Sequence, residues 1–373
     1  MISGKGPRAA LPTGCSLVLA ANAFPGLTRV AGQVNSASKF RVLAGRLLVM
    51  PVGRIFLIVG VLVILACGCR VPDGGEGDGV PEGMVWVPSG VCVRGDGSGE
   101  GYADERPVAA LPVEGFYMDR VEVSWGLWME VYEWALGRGY EFGEVYPFHP
   151  GRELSHPVCF VSWHDAVKWC NARSEKGGQE PVYMEDEGWT RVYRVGELDL
   201  TEGMVRWGEG GYRLPTELEW EWAARGGLAG QHYPWASDGE GFERFLDGGK
   251  ANYWGSGDPW ETESDCATAL VGYFDGGQRG GGEDMANGYG LYDMSGNVNE
   301  WCWDWYLDSW YGESEEVLRG NLRGPDHGYG RVLRGGSWIS SPKYARVSAR
   351  YMSGPEYRCH CYGFRCVVAE GRE

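Results

Sequence analysis

Gly211-Tyr212-Arg213-Leu214-Pro215-Thr216-Glu217-Leu218-Glu219-Trp220-Glu221 is the stretch from which the fold reads most directly. Thr216 can offer its hydroxyl to the amide of residue 219, and Glu219 can return a carboxylate to the amide of Thr216, the reciprocal capping box that starts a helix. Trp220 and Trp222 carry that helix forward and Gly226-Gly227 stops it. Toward the amino terminus, Ser162 with Asp165 three residues on starts a second helix through Ala166, Trp169 and Cys170. Ser124 starts another, whose Leu127, Val131 and Trp134 share one face and which Gly137 ends. Met84-Val85-Trp86-Val87-Pro88 reads as a strand closed by Pro88-Ser89-Gly90, and residues 115–123 as a further strand. Beyond residue 230 only short strand-like pieces stand between glycines. Three modest helices, several short strands and long connections predict one loop-rich α+β domain over residues 84–369, with no internal repeat and no linker dividing it.

Composition supports this. Glycine and proline supply 61 and 19 of 373 residues, which excludes a coiled coil, a helical bundle or a helical solenoid. The 18 Trp, 20 Tyr and 11 Phe are too many for a disordered chain and predict an aromatic core. With 34 basic and 51 acidic residues the net charge is −17, which argues against nucleic acid and anionic membrane surfaces as partners.

The first 66 residues differ: seven cations (Lys5, Arg8, Arg29, Lys39, Arg41, Arg46, Arg54) and no acid, so the remainder has 27 basic against 51 acidic residues and a charge of −24. Residues 55–66 are an unbroken apolar run, short for a bilayer span of about 20 residues and suited to a secretory signal. Met50 and Arg54 precede it, and Ile64-Leu65-Ala66-Cys67 resembles a lipoprotein processing site, with Cys69 as the second candidate for lipidation. Residues 50–66 are therefore expected to be a lipoprotein signal peptide, residues 67–83 a flexible acidic tether, and residues 1–49 an upstream or non-native extension. A plain signal peptide or signal anchor is the alternative. The expected location is the bacterial cell envelope, lipid-anchored at the outer surface, with the membrane touched through the anchor only.

Several chemistries are excluded by pattern. Residues 274–284 are glycine-rich but lack the Gly-Lys-Ser/Thr ending of a phosphate loop and read as a surface loop. The six histidines form no H-E-x-x-H or H-x-H pair, no C-x-x-C occurs among the eleven cysteines, and no G-x-S-x-G elbow is found. An exported chain can form disulfides, but the spacing does not give their pairing.

Six ordered strings then share one resemblance: Gly83-Met84-Val85-Trp86-Val87-Pro88, the 211–221 stretch, Gly288-Tyr289-Gly290-Leu291-Tyr292-Asp293-Met294-Ser295-Gly296-Asn297, Glu300-Trp301, Arg334-Gly335-Gly336-Ser337-Trp338 and Gly363-Phe364-Arg365-Cys366. Their order resembles the formylglycine-generating enzyme, or sulfatase-modifying factor, family over nearly all of residues 84–368. The resemblance implies a C-type-lectin-like α+β fold, elaborated and poor in regular structure. Family enzymes oxidise a substrate cysteine with copper held by two thiolates, one three residues after the Ser of Gly-Gly-Ser and the other five further on. Those positions here are Ser340 and Ala345, and neither a hydroxyl nor a methyl group can hold Cu(I), which prefers soft sulfur. Cys359, His360 and Cys361 could only make a displaced site lacking a third strong ligand, so no copper is expected. Related iron-dependent sulfoxide synthases carry an additional helical domain, which residues 1–83 do not resemble.

The same resemblance implies structural Ca²⁺. Asp293, Gly296, Val298 and Glu300 match one site, and Asn252, Tyr253, Asp265 and Ala267 match a second in looser register. Capping or paired carboxylates are the alternative reading of Asp293 and Glu300.

Residues 339–362 interrupt an intact framework with Tyr, Ser and small residues, the composition of binding loops. Tyr, Ser, His, Cys, Ile, Ala and Gly can all arise from the asparagine codon AAC by replacing one or both adenines, and no Asn occurs after Arg323. The combination resembles the variable proteins of diversity-generating retroelements, including lipid-anchored treponeme variable proteins. It implies a solvent-facing, hypervariable ligand site at Trp338, Ile339, Ser340, Ser341, Tyr344, Ala349, Tyr351, Ser353, Gly354, Tyr357, Cys359, His360, Cys361 and Tyr362. The expected function is a non-catalytic surface lipoprotein binding a ligand, protein or cell-surface molecule, and not nucleic acid. A sulfatase-modifying-factor-like oxidase with an altered active site is the alternative, and a purely structural envelope lipoprotein the third reading.

Overall fold

The computed structural model describes residues 80–144, 154–235, 246–260, 267–278 and 281–370. The expected signal peptide, Cys67, Cys69 and Asp265 lie outside the described residues. Among the described residues no helix is long and apolar enough to cross a membrane.

The two ends of the domain meet in one sheet. Strand β1 (Met84–Val87) pairs with β4 (Phe116–Asp119), and β4 pairs on its other side with β10 (Val367–Ala369), which continues to β5 (Tyr212–Arg213). All three pairings are antiparallel, with Val87 opposite Phe116 and Val367 opposite both Met118 and Arg213. Because the first and last strands flank β4, the two ends of residues 84–369 are joined in one sheet. A hairpin of β2 (Gly90–Arg94) and β3 (Ala109–Val113) turns Cys92, Leu111 and Val113 inward.

Helices α1 (Trp125–Leu136), α2 (Trp163–Lys176) and α3 (Glu217–Arg225) start and stop on the expected signals. Ser124 Oγ accepts from Leu127 N, Ser162 and Asp165 bond reciprocally, and so do Thr216 and Glu219. Gly226 ends α3 at φ 55°, where a Cβ would sit 2.6 Å from the Gly288 amide nitrogen. The buried face of α1 is Trp128, Val131 and Ala135, with Leu127 and Trp134 only half-buried. Trp128 and Trp169 stack at 5.7 Å and 3°, with Phe364 edge-on to both, which joins α1, α2 and the C-terminal segment into one aromatic core.

Two expectations are corrected. The strand expected over residues 115–123 is confined to β4, because the chain leaves the sheet after Asp119. The region beyond residue 230 contains an eight-residue strand, β6 (Asn299–Tyr306), and a short fourth helix, α4 (Glu315–Gly320). Strand β6 is the centre of the second sheet, β8-β7-β6-β9, with β7 (Gly330–Arg334), β8 (Tyr351–Ser353) and β9 (Tyr362–Gly363). β7 is buried along its whole length, Arg331 and Arg334 included. Helix α3 is likewise buried, and its acids are matched by guanidinium groups: Glu217 by Arg350, and Glu221 by Arg225 and Arg334. These pairs set the position of the C-terminal segment.

Candidate functional site

The chain leaves β7 through Gly335 and Gly336, at φ 87° and 72°. A Cβ at Gly336 would stand 2.9 Å from the Tyr344 carbonyl oxygen, so the double glycine lets the returning loop lie against the turn. The Ser340 hydroxyl accepts from Ser337 N at 3.0 Å and lies 3.1 Å from Ser337 Oγ, while Ser340 N donates to Ser337 O at 2.8 Å. Where the resemblance calls for a thiolate, Ser340 closes a turn. Ala345, at the other thiolate position, is fully buried.

Residues 345–350 then run through the interior. Arg346 donates both terminal nitrogens to Glu105, at 2.7 and 2.6 Å, and Ser348 Oγ donates to the same carboxylate at 2.8 Å. Arg350 makes a two-point contact with Glu217 at 2.7 and 2.9 Å. Arg334 pairs with Glu221 Oε2 at 2.6 Å and donates to the carbonyls of Val347, Ser348 and Ala349. Strong charge-assisted bonds of this kind fix the main chain from behind.

On either side of this buried run the chain faces water. Ile339 is 44% exposed, Tyr344 38%, Tyr351 47% and Tyr357 61%. Trp338, Ser340, Ser341, Ser353, Gly354, Cys359 and His360 are half-buried. The Trp338 ring lies 5.3 Å from that of His360, and its Nε1 donates to the His360 carbonyl. Three expected positions are corrected: Ala349, Cys361 and Tyr362 are buried, Ala349 under Arg334, Cys361 and Tyr362 in the aromatic core. Tyr362 is needed there because β9 pairs with Asn299 and packs edge-on against Trp301. Cys359 and Cys361 are joined as a disulfide, so neither offers a thiolate to a metal. Arg358 is anchored to Asp165 of the α2 capping box at 2.8 Å.

Two residues beside the segment carry no sequence signal for a site. Tyr102 stacks on Tyr344 at 5.4 Å and 27°, beneath Lys343 Nζ at 3.7 Å from its ring centre, and Tyr344 meets Tyr351 edge-on at 6.4 Å. The Tyr344 hydroxyl is held above its ordinary pKa, first by a hydrogen bond with Tyr102 and then by burial. On the other side Trp254 N donates to Ser340 O at 3.0 Å, and the Trp254 side chain is 67% exposed. Only the fold brings residues 102 and 254 to the segment, so no local pattern could announce them.

The expected calcium ligands are only partly arranged for an ion. Both Glu300 oxygens accept from Arg365, at 2.8 and 2.7 Å, and Oε2 also accepts from Trp220 Nε1 at 2.8 Å. Asp293 accepts from Gly272 N at 2.5 Å, with its carboxyl raised to about 6 by burial. Glu122, which sequence reasoning did not single out, is buried beside this pair and accepts from Asn297 Nδ2 at 2.6 Å and Val298 N at 3.2 Å. Burial, then the charges of Asp293 and Glu300, push its carboxyl well above the usual range. In the second set Asn252 Nδ2 donates to the Ala267 carbonyl at 2.6 Å, and the Tyr253 carbonyl accepts a turn bond from Ser256 N. Among the described residues no group of three or more His, Cys, Asp or Glu side chains is placed to hold a metal. At the first position the Glu300 carboxylate is taken up by Arg365 and Trp220, and Asp265 of the second position lies outside the described residues.

Three comparisons place this geometry. The formylglycine-generating enzyme of Streptomyces coelicolor is 32% identical over 303 residues, covering 76% of this chain and 88% of that protein. Treponema denticola variable protein 1 superposes with a TM-score of 0.53 at 27% identity, covering 77% of this chain and 95% of that one. PvdO from Pseudomonas aeruginosa, at 23% identity and a TM-score of 0.54 over 77% of this chain and 94% of its own, shares the fold. The family model for the sulfatase-modifying factor enzyme 1-like domain matches residues 76–370, and the chain belongs to that formylglycine-generating enzyme family, with its C-type-lectin-like α+β fold.

Proposed function

We propose that the chain is a surface-displayed lipoprotein of the bacterial envelope, lipidated at Cys67 or Cys69, which binds a ligand through a hypervariable site in residues 339–362 and does not catalyse cysteine oxidation. The observation that carries this reading is the division of the segment. The segment is held from behind through Arg334 on its carbonyls and through its own Arg346 and Arg350 on Glu105 and Glu217, while Ile339, Tyr344, Tyr351 and Tyr357 face water. Outward side chains on a scaffold that does not depend on them are what a diversified binding loop requires. The likeness to a treponeme variable protein supports the same reading. A calcium ion would serve only to hold loops together, and would need Glu300 to leave Arg365.

Sequencing the 3′ end of the gene in sibling clones, with its flanking DNA, tests the proposal. Variation confined to codons aligned with adenines in a nearby near-copy is the expected result. An invariant segment with no such copy overturns diversification. The second reading, an oxidase with altered chemistry, draws on the identity to formylglycine-generating enzymes. It predicts stoichiometric Cu(I) binding and turnover of a cysteine peptide by the full chain. With Ser340 and Ala345 at the thiolate positions we expect neither.

A further inference from the structure

We propose that the binding surface is completed by two fixed aromatic anchors from distant segments, Tyr102 and Trp254, and that the partner it takes is a folded protein. The inference rests on the binder reading above and names the partner class of that site.

Trp254 is the most exposed tryptophan among the described residues. Its backbone is held rigidly. Trp254 N bonds to Ser340 O, Tyr253 Oη donates to Leu246 O at 2.7 Å, and Tyr253 packs in a small core with Ala345 of the variable segment. Across the segment, Tyr102 is seated with equal firmness. Its amide donates to Glu105 Oε1 at 2.8 Å, the neighbouring Asp104 accepts from Tyr306 Oη at 2.7 Å, and the Asp104 carbonyl accepts from Arg350. Tyr102, Tyr344 and Tyr351 thus form a continuous aromatic run along the segment, and Trp254 is tied to the same segment at the Ser340 carbonyl.

Rigid Trp and Tyr on pinned backbone are the side chains that dominate protein–protein binding energy, because little conformational entropy is lost when they are covered. The shape favours a macromolecule. Two clefts among the described residues, of about 630 and 430 Å³, lie around Trp207 and are lined by none of these residues. Small ligands need concave enclosure, and separated anchors on an open face do not provide it. Lys343 presents a cation over Tyr102 in a chain of net charge −17, so the complementary surface is apolar with an acidic rim.

The test uses full-length chains displayed on yeast with positions 339, 340, 353 and 357 randomised and Tyr344 and Tyr351 kept. Selection is on hen lysozyme, on ubiquitin and on yeast mannan. Clones that bind either protein are expected, and in each of them Tyr102→Ala and Trp254→Ala should each weaken Kd by about 10- to 100-fold. Tyr102→Phe, which keeps the stack, and Trp189→Ala, at the Trp207 cleft, should change it less than about twofold. Unfolding midpoints of the variants are measured alongside, and Tyr102→Leu and Trp254→Leu replace any alanine variant that shifts. Protein binders indifferent to both positions would overturn the anchors and leave the binder reading intact. Clones that bind only mannan would overturn the protein partner. No binder to any of the three would overturn the binder reading itself.

Discussion

Glu105 lies about 240 positions from the residues it holds, and its removal gives the sharpest test of how the site is built. The carboxylate is fully buried and accepts four hydrogen bonds, from Tyr102 N, both terminal nitrogens of Arg346 and Ser348 Oγ. Glu105→Ala leaves the Arg346 guanidinium buried without its carboxylate and Ser348 without its acceptor. Breaking a buried pair from one side costs about 3–5 kcal/mol, a large share of the roughly 5–15 kcal/mol that holds a domain together. Removing both charges is different, because the desolvation that the pair had to offset disappears with it. Glu105→Leu combined with Arg346→Met should recover at least about half of the loss. The double-mutant cycle, completed by Glu105→Leu and Arg346→Met as single variants, is read from urea unfolding followed by circular dichroism, with equal m-values required before the midpoints are compared. A Glu105→Ala cost below about 1 kcal/mol, the range of an exposed pair, would refute the claim that this contact anchors the segment. A double variant no more stable than the single would refute the pairing.

Three further outcomes are expected. Asp293 has its carboxyl raised to about 6 from an ordinary 3.8, chiefly by burial, so its stabilising effect is full below about pH 4 and lost as pH rises through 6; Asp293→Asn keeps the bond from Gly272 and should be more stable than the parent by about 1–3 kcal/mol at pH 7, converging below pH 4 in pH-dependent urea melts. A gain that persists unchanged at pH 4 would contradict the assignment. Cys170 and Cys366 have sulfurs 3.6 Å apart in the core, and refolding under oxidising conditions should join them, seen as a Cys170–Cys366 linked peptide by mass spectrometry and an unfolding free energy raised by about 4 kcal/mol for so long a loop. Gly336→Ala should cost more than about 1 kcal/mol in the same urea assay, since φ is 72° and the new Cβ would press on the Tyr344 carbonyl; a neutral change would show that the turn relaxes.

The three long helices were legible because their starts are chemistry between near neighbours. Ser162 with Asp165, and Thr216 with Glu219, satisfy each other's amides within four residues, and the fold only has to accept the result. Strand β6 was hidden for the opposite reason. Asn299-Glu300-Trp301-Cys302-Trp303-Asp304 is buried on both faces, so there is no alternation to read, and its acids look solvent-facing until Arg365 and the Glu217 amide are brought to them. The site divides in the same way. Its composition was visible, but which of its residues turn inward was not, since Arg346 and Arg350 look like surface residues until acids from residues 105 and 217 enclose them. Ala349 turns in beneath Arg334, and Cys361 and Tyr362 are drawn into the aromatic core by the pairing of β9 with β6, contacts too long-range to read locally.

The choice of guanidinium groups rather than apolar side chains to hold residues 345–350 bears on how the site can vary. Apolar packing constrains every neighbour by shape, so a changed side chain in the loop would be felt in the core. Arg334 instead donates to three successive carbonyls, those of Val347, Ser348 and Ala349, which are present whatever residues carry them. The Gly335-Gly336 turn and the Trp254 amide on the Ser340 carbonyl work the same way, through main chain alone. Replacements at Ile339 or Tyr357 should then stay within about 0.5 kcal/mol of the parent, as for other surface positions, whereas Arg334→Met should cost about 3–5 kcal/mol. A scaffold bonded through its backbone separates the residues that specify the fold from those that meet the ligand, and that separation lets one segment of sequence serve both.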